Sequence, residues 1–216
     1  MGRVRKEAGG PGGARKGLQP ADALSGAARH AVEAAAVIGV ELVLEFLSLV
    51  NGGDDGIDAL LESGLIAERS LGAAAFRSSS ERDAVYAAVP WTRRRALHRR
   101  VAEALETRRG DAQQIAEHWL AAGEGERARL GLIECAARSR QAHVHHDTVR
   151  LLRRALDIWT PGAAEEERLA ALEQLGDAAQ SAGLLADALL AWREVAESPQ
   201  HAVRARALRK LANLYE

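Results

Sequence analysis

Apolar residues recur every three or four positions along most of the chain, which predicts helices with one buried face. The clearest example carries Leu97, Val101 and Leu105 on one side. Glycine, proline and Asn-Gly-Gly interruptions divide this pattern into segments of helical length. We predict helices over residues 21–37, 42–50, 54–63, 81–107 with an interruption at Pro90, 111–123, 127–142, 147–159, 164–182, 185–197 and 201–215.

Two short stretches on either side of a Leu-Gly turn break the helical pattern. Residues 65–69 and 73–77 read as two strands of a hairpin. Three helices followed by a hairpin is the order of a winged-helix domain, which we place with a junction helix at residues 21–107. Residues 1–20 are rich in Gly, Arg and Lys, and they carry too little apolar surface to offset the entropy of ordering, so we expect this tail to be disordered.

Two helix starts carry acidic residues of the type that caps helices. We expect Asp54 or Asp55 to cap the third helix. Asp111 and Gln114 have the spacing of a capping box, in which the first side chain accepts a hydrogen bond from the backbone of the fourth residue.

The helices after residue 107 repeat one pattern of large and small residues. Leu172, Leu175, Gly176, Ala188 and Trp192 follow the order large, large, small, small, aromatic, which is typical of a tetratricopeptide repeat. Small residues let the two helices of a repeat approach closely. Residues 108–216 are therefore predicted to form an α-solenoid.

Other copies of the pattern flank this one. Leu211, Ala212 and Tyr215 restart it 36 residues after Leu175 (175 to 211), close to the usual period of about 34. A weaker, earlier copy uses Ala136, Leu152 and Ala155. Since the last repeat contains one helix where a repeat has two, we expect the solenoid to be truncated.

Composition narrows the class of protein. Hydrophobic residues make up 47% of the chain and aromatic residues 4%, so the core must be built mostly from Ala, Leu and Val, which favours helices over sheets. The formal net charge of −1 provides no global attraction for nucleic acid or an anionic membrane. No apolar run is long enough to span a bilayer, and no signal peptide is recognisable, so we expect a cytoplasmic protein.

Several groups of residues suggest chemistry, and each has a simpler structural interpretation. His143, His145, His146 and Asp147 could bind a divalent ion, but they lie where a polar loop is expected between two helices. Cys135, the one cysteine, is expected to be a small buried apolar residue. We expect no metal site, no cofactor and no enzymatic activity.

Two more stretches resemble functional motifs without completing them. The Gly-rich segment around Lys16 lacks the spacing and the hydroxyl residue of a phosphate-binding loop. Ser78 to Ser80 lack the surroundings of a nucleophile, so we interpret these residues as turn and cap positions.

One stretch, FRSSSERDAVYAAVPWTRRRALHRRVAEAL, resembles the domain junction of the large LuxR-type and cyclase-linked signalling ATPases, the STAND class. The resemblance is carried by the following residues among others: Phe76, Arg82, Asp83, Tyr86, Pro90, Arg93 to Arg95 and His98. In that family a winged-helix domain follows the ATPase core and leads into tetratricopeptide repeats. The ATPase itself is absent from this sequence.

The resemblance implies a regulatory or sensor region of a multidomain transcriptional regulator. Its winged helix would relay the nucleotide state of an upstream ATPase domain, and its repeats would bind a protein or a small inducer. The arginines around His98 are then the solvated face of a junction helix, although a basic run can also contact nucleic acid.

Two alternatives remain from the sequence. The chain could be a free-standing repeat scaffold that binds a peptide or protein, or a DNA-binding winged-helix protein with a helical tail. The third predicted helix argues against DNA, because it carries Asp54, Asp55, Asp58 and Glu62 and no Lys or Arg, and phosphates repel carboxylates.

Overall fold

The computed structural model describes Leu24 and residues 26–214, and this part of the chain contains eleven helices and three short strands. The prediction of a mostly helical chain with a small sheet is confirmed. Asp22, Ser25, Tyr215 and the predicted disordered tail lie outside the described residues. Among the described helices, none combines the length and apolarity that crossing a bilayer requires.

The chain divides into two compact units, one ending at Ala88 and the other beginning at Val89. The sequence predicts this boundary after residue 107. The helix over residues 91–107 falls in the second unit, where it packs along the helix that follows it.

The first unit consists of four helices and a three-stranded sheet. Its elements are α1 (Gly26–Ile38), β1 (Glu41–Val43), α2 (Leu44–Asn51), α3 (Ile57–Ser63), β2 (Ile66–Ser70), β3 (Ala73–Phe76) and α4 (Ser79–Ala88). Helix α1 is its central element, because residues 31–37 are buried on every side of the helix and it contacts α2, α3 and α4.

The sheet has the order β1-β3-β2, with both pairs antiparallel. The hairpin of β2 and β3 was predicted, and Ile66 lies opposite Phe76 in it. Strand β1 was not predicted, since we assigned Leu42 and Val43 to a helix. Leu42 pairs with Ala74, so β3 is the central strand, and its Ala-rich stretch pairs with β1 on one edge and β2 on the other.

The start of α3 differs from the prediction. Its N-cap is Gly56, with φ of 81°, and neither Asp54 nor Asp55 caps it through a side chain. A side chain at Gly56 would overlap the backbone of Ala27 in α1. Close packing between α1 and α3 therefore selects glycine at a position where the sequence favours an acidic cap.

The second unit is a series of antiparallel helices joined by short turns. They are α5 (Trp91–Thr107), α6 (Ala112–Ala121), α7 (Gly125–Gln141), α8 (His145–Asp157), α9 (Glu165–Ser181), α10 (Leu185–Ala196) and α11 (His201–Leu214). The predicted capping box is present in part, because the Asp111 carboxylate accepts from the backbone N–H of Gln114 at 2.9 Å.

Four of the turns share one backbone geometry. Each has a residue of positive φ, namely Arg109, Gly123, His143 and Gly183. In each turn this residue donates its N–H to the carbonyl three positions back, and the next N–H bonds to the carbonyl five positions back, at 2.8–3.1 Å. This is the Schellman arrangement that ends a helix and reverses the chain. The same backbone turn therefore joins α5 to α6, α6 to α7, α7 to α8 and α9 to α10.

Candidate functional site

The junction residues of the first unit hold its last helix against α1. Arg82 donates from Nε to the carbonyl of Ala36 at 2.6 Å, binds Asp83 at 2.9 Å, and places its guanidinium 4.7 Å from the centre of the Tyr86 ring. Phe76 is buried at the end of β3. The hydrogen bond to Ala36 ties α4 to α1, while Asp83 and Tyr86, on the same helix as Arg82, hold its guanidinium in place, which is a structural role.

Ser78 precedes α4 and caps it, whereas Ser79 and Ser80 lie within the helix. The backbone N–H of Glu81 donates to the Ser78 hydroxyl at 3.1 Å. The prediction of turn and cap residues at Ser78 to Ser80 therefore holds for Ser78, while Ser79 and Ser80 form the first turn of α4.

The second part of the junction opens α5. Pro90 is its N-cap, and the Pro90 carbonyl accepts from Arg94 at 2.9 Å. His98 is buried, with its Nδ1 atom 2.9 Å from Nδ1 of His118 on α6. At this separation one ring donates its N–H and the other accepts, so the pair links α5 to α6.

The arginines of this stretch bind other parts of their own unit. Arg95 donates to the carbonyl of Ala122 at 2.8 Å and lies 4.8 Å from the Trp91 ring, while Arg99 forms an ion pair with Glu124. A cation beside the last carbonyls of α6 also complements the helix dipole. We expected these arginines to form a solvated helix face; Arg99 is exposed, but Arg95 is half-buried and bonds to α6.

The predicted repeat residues come together between α9 and α10. Ala188 and Trp192 are buried on α10 and face α9. A Cβ atom added at Gly176 would lie 2.5 Å from Cε2 of Trp192, so the indole occupies the space that a side chain would need. Gly176 and Ala188, which we predicted as small packing positions, are both buried where α9 meets α10.

The neighbouring predicted positions join the same core. Leu172 and Leu175 are buried on α9, and Leu211 on α11 is half-buried against the same cluster. Tyr215 lies outside the described residues.

An open cleft of about 150 Å³ lies between α8, α9 and α10. Five of its lining residues are apolar: Leu156, Leu172, Leu175, Leu190 and Ala191. Leu172 and Leu175 belong to the predicted repeat set, and they are 3% and 7% exposed. Leu190 is 64% exposed, so the apolar lining continues from the core to the surface. The repeat packing thus leaves an apolar recess open to solvent.

Charged side chains surround this recess. Arg153 on α8 forms an ion pair with Asp187 on α10, and Arg168 on α9 forms one with Glu194 on α10. Asp157 completes the rim and has no ion pair among the described residues. The rim therefore carries two ion pairs, each without net charge, and the additional carboxylate of Asp157.

Ion pairs also connect helices that occupy the same place in successive pairs. They join α7 to α9 through Arg129 and Glu167, α9 to α11 through Glu173 and Arg206 and through Asp177 and Lys210, and α6 to α8 through Glu117 and Arg154. Partial burial acts to raise the pKa of Glu117, but hydrogen bonds from Arg154 and Gln113 outweigh it, so the pKa of this carboxyl lies below its usual value.

The histidine-rich segment does not gather around one point. The rings of His143 and His145 are 6.1 Å apart, and Asp147 bonds to Arg150 at 3.0 Å. In the described part of the chain, no three His, Cys, Asp or Glu side chains are grouped as a metal ion would require. Cys135 is buried on α7, as predicted.

The sequence analysis did not predict the charged rim of the recess or the pair formed by His98 and His118. Arg153 and Asp187 are 34 residues apart (153 to 187), so opposite charges separated by one repeat period were a signal that could have found them. His98 and His118 are joined by the packing of α5 on α6, and no spacing rule indicates such a pair.

No protein-family model, curated protein or solved structure matches this chain.

Proposed function

We propose that this chain is a regulatory region of a multidomain, ATP-dependent signalling protein, and that it works by binding a protein segment with its helical array. The observation that carries the proposal is the open apolar recess between α8, α9 and α10, with its charged rim. On this proposal the chain acts in the cytoplasm, has no catalytic activity and needs no cofactor.

The first unit supports a winged-helix-like assignment. Helices α1, α2 and α3 precede the β2–β3 hairpin, which is the order of a winged-helix domain. The residues that resemble the signalling ATPases, from Phe76 to Leu105, lie at the end of this unit and at the start of the next.

The second unit supports a tetratricopeptide-like assignment. Its turns at Arg109, His143 and Gly183 are separated by 34 and then 40 residues, against a period of about 34 in these repeats. The longer interval contains the α8–α9 link, residues 158–164. Proteins of this architecture use their continuous surfaces to bind partners.

The size of the recess favours a protein segment over the small inducer that the resemblance also implied. Sites for small molecules usually enclose about 300–1,000 Å³. A volume of about 150 Å³ suits one or two side chains of a bound segment.

DNA is not the partner that we propose for the first unit. Asp54, Asp55, Asp58 and Glu62 are all exposed on or before α3, the helix that would enter the major groove. We expect a fragment starting at Ala21 to bind duplex DNA no more tightly than about 10⁻⁶ M at physiological salt. Tighter binding that disappears when these four residues are changed would restore the DNA-binding alternative.

A selection of phage-displayed random 12-residue peptides on the full chain tests the proposal. We expect peptides whose binding is lost in a Leu190→Asp variant, which should fold because Leu190 is largely exposed. Leu71→Asp, at a fully exposed leucine of the first unit, is the matched control and should retain binding. If no selected peptide depends on Leu190, the proposed binding function is wrong.

Hydrogen exchange separates the regulatory role from a free-standing scaffold. A selected peptide that regulates through interdomain relay should change amide protection in the first unit as well as in α8, α9 and α10. Protection confined to those three helices would favour the scaffold alternative.

A further inference from the structure

The rim of the recess carries more negative than positive charge. Its charged residues are Arg153 and Arg168 against Asp157, Asp187 and Glu194. Both arginines are already in ion pairs across the cleft with carboxylates of α10. A carboxylate on a partner would have to compete with Asp187 and Glu194 for these two guanidiniums.

Asp157 differs from the other charged groups of the rim. It is exposed at the end of α8 and has no ion pair among the described residues. A cation brought to it gains an interaction without breaking an existing pair. Charge complementarity therefore favours a basic group over an acidic one at this end of the recess.

The apolar part of the recess sets the second requirement. Leu190 is exposed at the surface while Leu172 and Leu175 are buried beneath, so an apolar side chain entering between α8 and α10 would cover Leu190 and contact both buried leucines. Removing this apolar surface from water is the main source of affinity that the recess offers.

We infer that the partner of the recess is a peptide segment that combines one apolar anchor with a neighbouring arginine or lysine, the anchor entering beside Leu190 and the cation lying at Asp157. The inference rests on the proposed function, because it specifies the chemistry of the segment bound there.

The phage-displayed 12-residue peptides that depend on Leu190 provide the test. We expect them to be enriched in Arg or Lys next to Leu, Ile or aromatic residues. A synthetic peptide from this set should bind Asp157→Asn about two- to fivefold more weakly than the parent at low salt, as expected for one exposed ion pair. Asp157→Arg should weaken it further, while Asp58→Asn, which makes the same charge change on α3, should have no effect.

The outcomes separate the two proposals. The inferred partner would be overturned by Leu190-dependent peptides that are acidic. It would also be overturned by peptides that bind Asp157→Asn and Asp157→Arg as tightly as they bind the parent. Either result would leave the binding function in place. A selection that yields no Leu190-dependent peptide would overturn both.

Discussion

The helix pairs α7–α8 and α9–α10 are joined by the same kind of turn, but the residues buried between their helices differ in size. His143 and Gly183 each have positive φ, 58° and 75°, and both turns make the same backbone hydrogen bonds. The two pairs can therefore be aligned with a constant shift of 40 residues (143 to 183). At this shift Gly176 corresponds to Ala136, and Trp192 corresponds to Leu152.

The two pairs distribute the side-chain volume between their two helices differently. The first pair combines Ala136 on α7 with Leu152 on α8, and the second combines Gly176 on α9 with Trp192 on α10. Ala136, Leu152 and Trp192 belong to one buried cluster, and Gly176 is buried against Trp192. A larger residue on the second helix goes with a smaller one on the first, so the close packing of the two helices is kept.

The strongest way to break this arrangement is to put a large side chain at Gly176. We expect Gly176→Leu to destabilise the protein by about 3 kcal/mol, because the rigid indole of Trp192 leaves no room and overpacking of a core costs typically 1–3 kcal/mol, occasionally more. Leucine also has the better helix propensity, by about 0.8 kcal/mol, so any loss reflects packing. Denaturant unfolding followed by circular dichroism measures the change.

Gly125→Leu is the matched control for this change. Gly125 begins α7, and a Cβ there meets no atom within 4 Å. The control should therefore change the free energy of unfolding by less than about 0.5 kcal/mol. A Gly176→Leu protein as stable as its control would show that the repeat alignment is wrong.

Converting the second pair into the first sharpens the comparison. Trp192→Leu alone should leave a cavity and cost about 2 kcal/mol, and Gly176→Ala alone should clash with the indole and cost about 1 kcal/mol. The double variant reproduces the Ala136 and Leu152 combination. We expect it to lose about 1 kcal/mol less than the sum of the single changes, since residues in contact couple by about 0.5–3 kcal/mol.

A double-variant cycle measures this coupling in the full chain. Gly131→Ala combined with Trp192→Leu is a suitable comparison, because Gly131 faces Ala116 on α6 and not the indole. Additive losses at residues 176 and 192 would mean that the two positions do not compensate each other.

The repeat core was accessible to sequence reasoning because its signal is local. Gly176 and Trp192 lie 16 residues apart (176 to 192) on consecutive helices, and one short turn fixes their relation. The predicted helix ends in this unit agree with the structure to within two or three residues for the same reason, since each turn has its own Gly or polar signal.

The features that were missed depend on contacts between distant segments. Strand β1 has three residues and no alternation of its own, and it exists because β3 offers an edge with which Glu41 to Val43 can pair. Gly56 as the cap of α3 reflects the approach of α1. The recess needs the relative placement of three helices, which the apolar pattern along any one of them does not contain.

The turns at His143 and Gly183 lead us to expect two smaller changes in stability, with opposite signs. Gly183→Ala should destabilise by about 1 kcal/mol, because alanine resists positive φ and a Cβ there meets no neighbour. His143→Gly should stabilise by up to about 1 kcal/mol, since the left-handed strain is removed. Thermal unfolding of the two variants measures both shifts. Equal signs would contradict the view that the two turns are equivalent.

The smallest effect concerns the ion pairs that connect α8 to the helices on either side, Arg154 with Glu117 on α6 and Arg153 with Asp187 on α10. The pKa of Glu117 is lowered in the folded protein, so its stabilising contribution is present above the pKa of the unfolded chain and disappears as the pH falls through the folded value. Because the pair is exposed, we expect Glu117→Gln to lose about 0.2–1 kcal/mol at pH 7.

Measuring the unfolding free energy of the parent and of Glu117→Gln between pH 7 and pH 3 tests the sign. The two curves should differ at neutral pH and converge in acid, where the parent carboxyl is protonated and resembles the amide. Glu166→Gln, a similar change at the exposed start of α9, should follow the parent more closely, since no hydrogen-bond partner for Glu166 is found among the described residues. Since the interaction is screened by salt, the difference at pH 7 should also shrink at 1 M NaCl. If the difference between the two curves stays constant from neutral to acid pH, the carboxylate charge contributes nothing to that difference. The substitution would then act by changing the packing of α6 on α8.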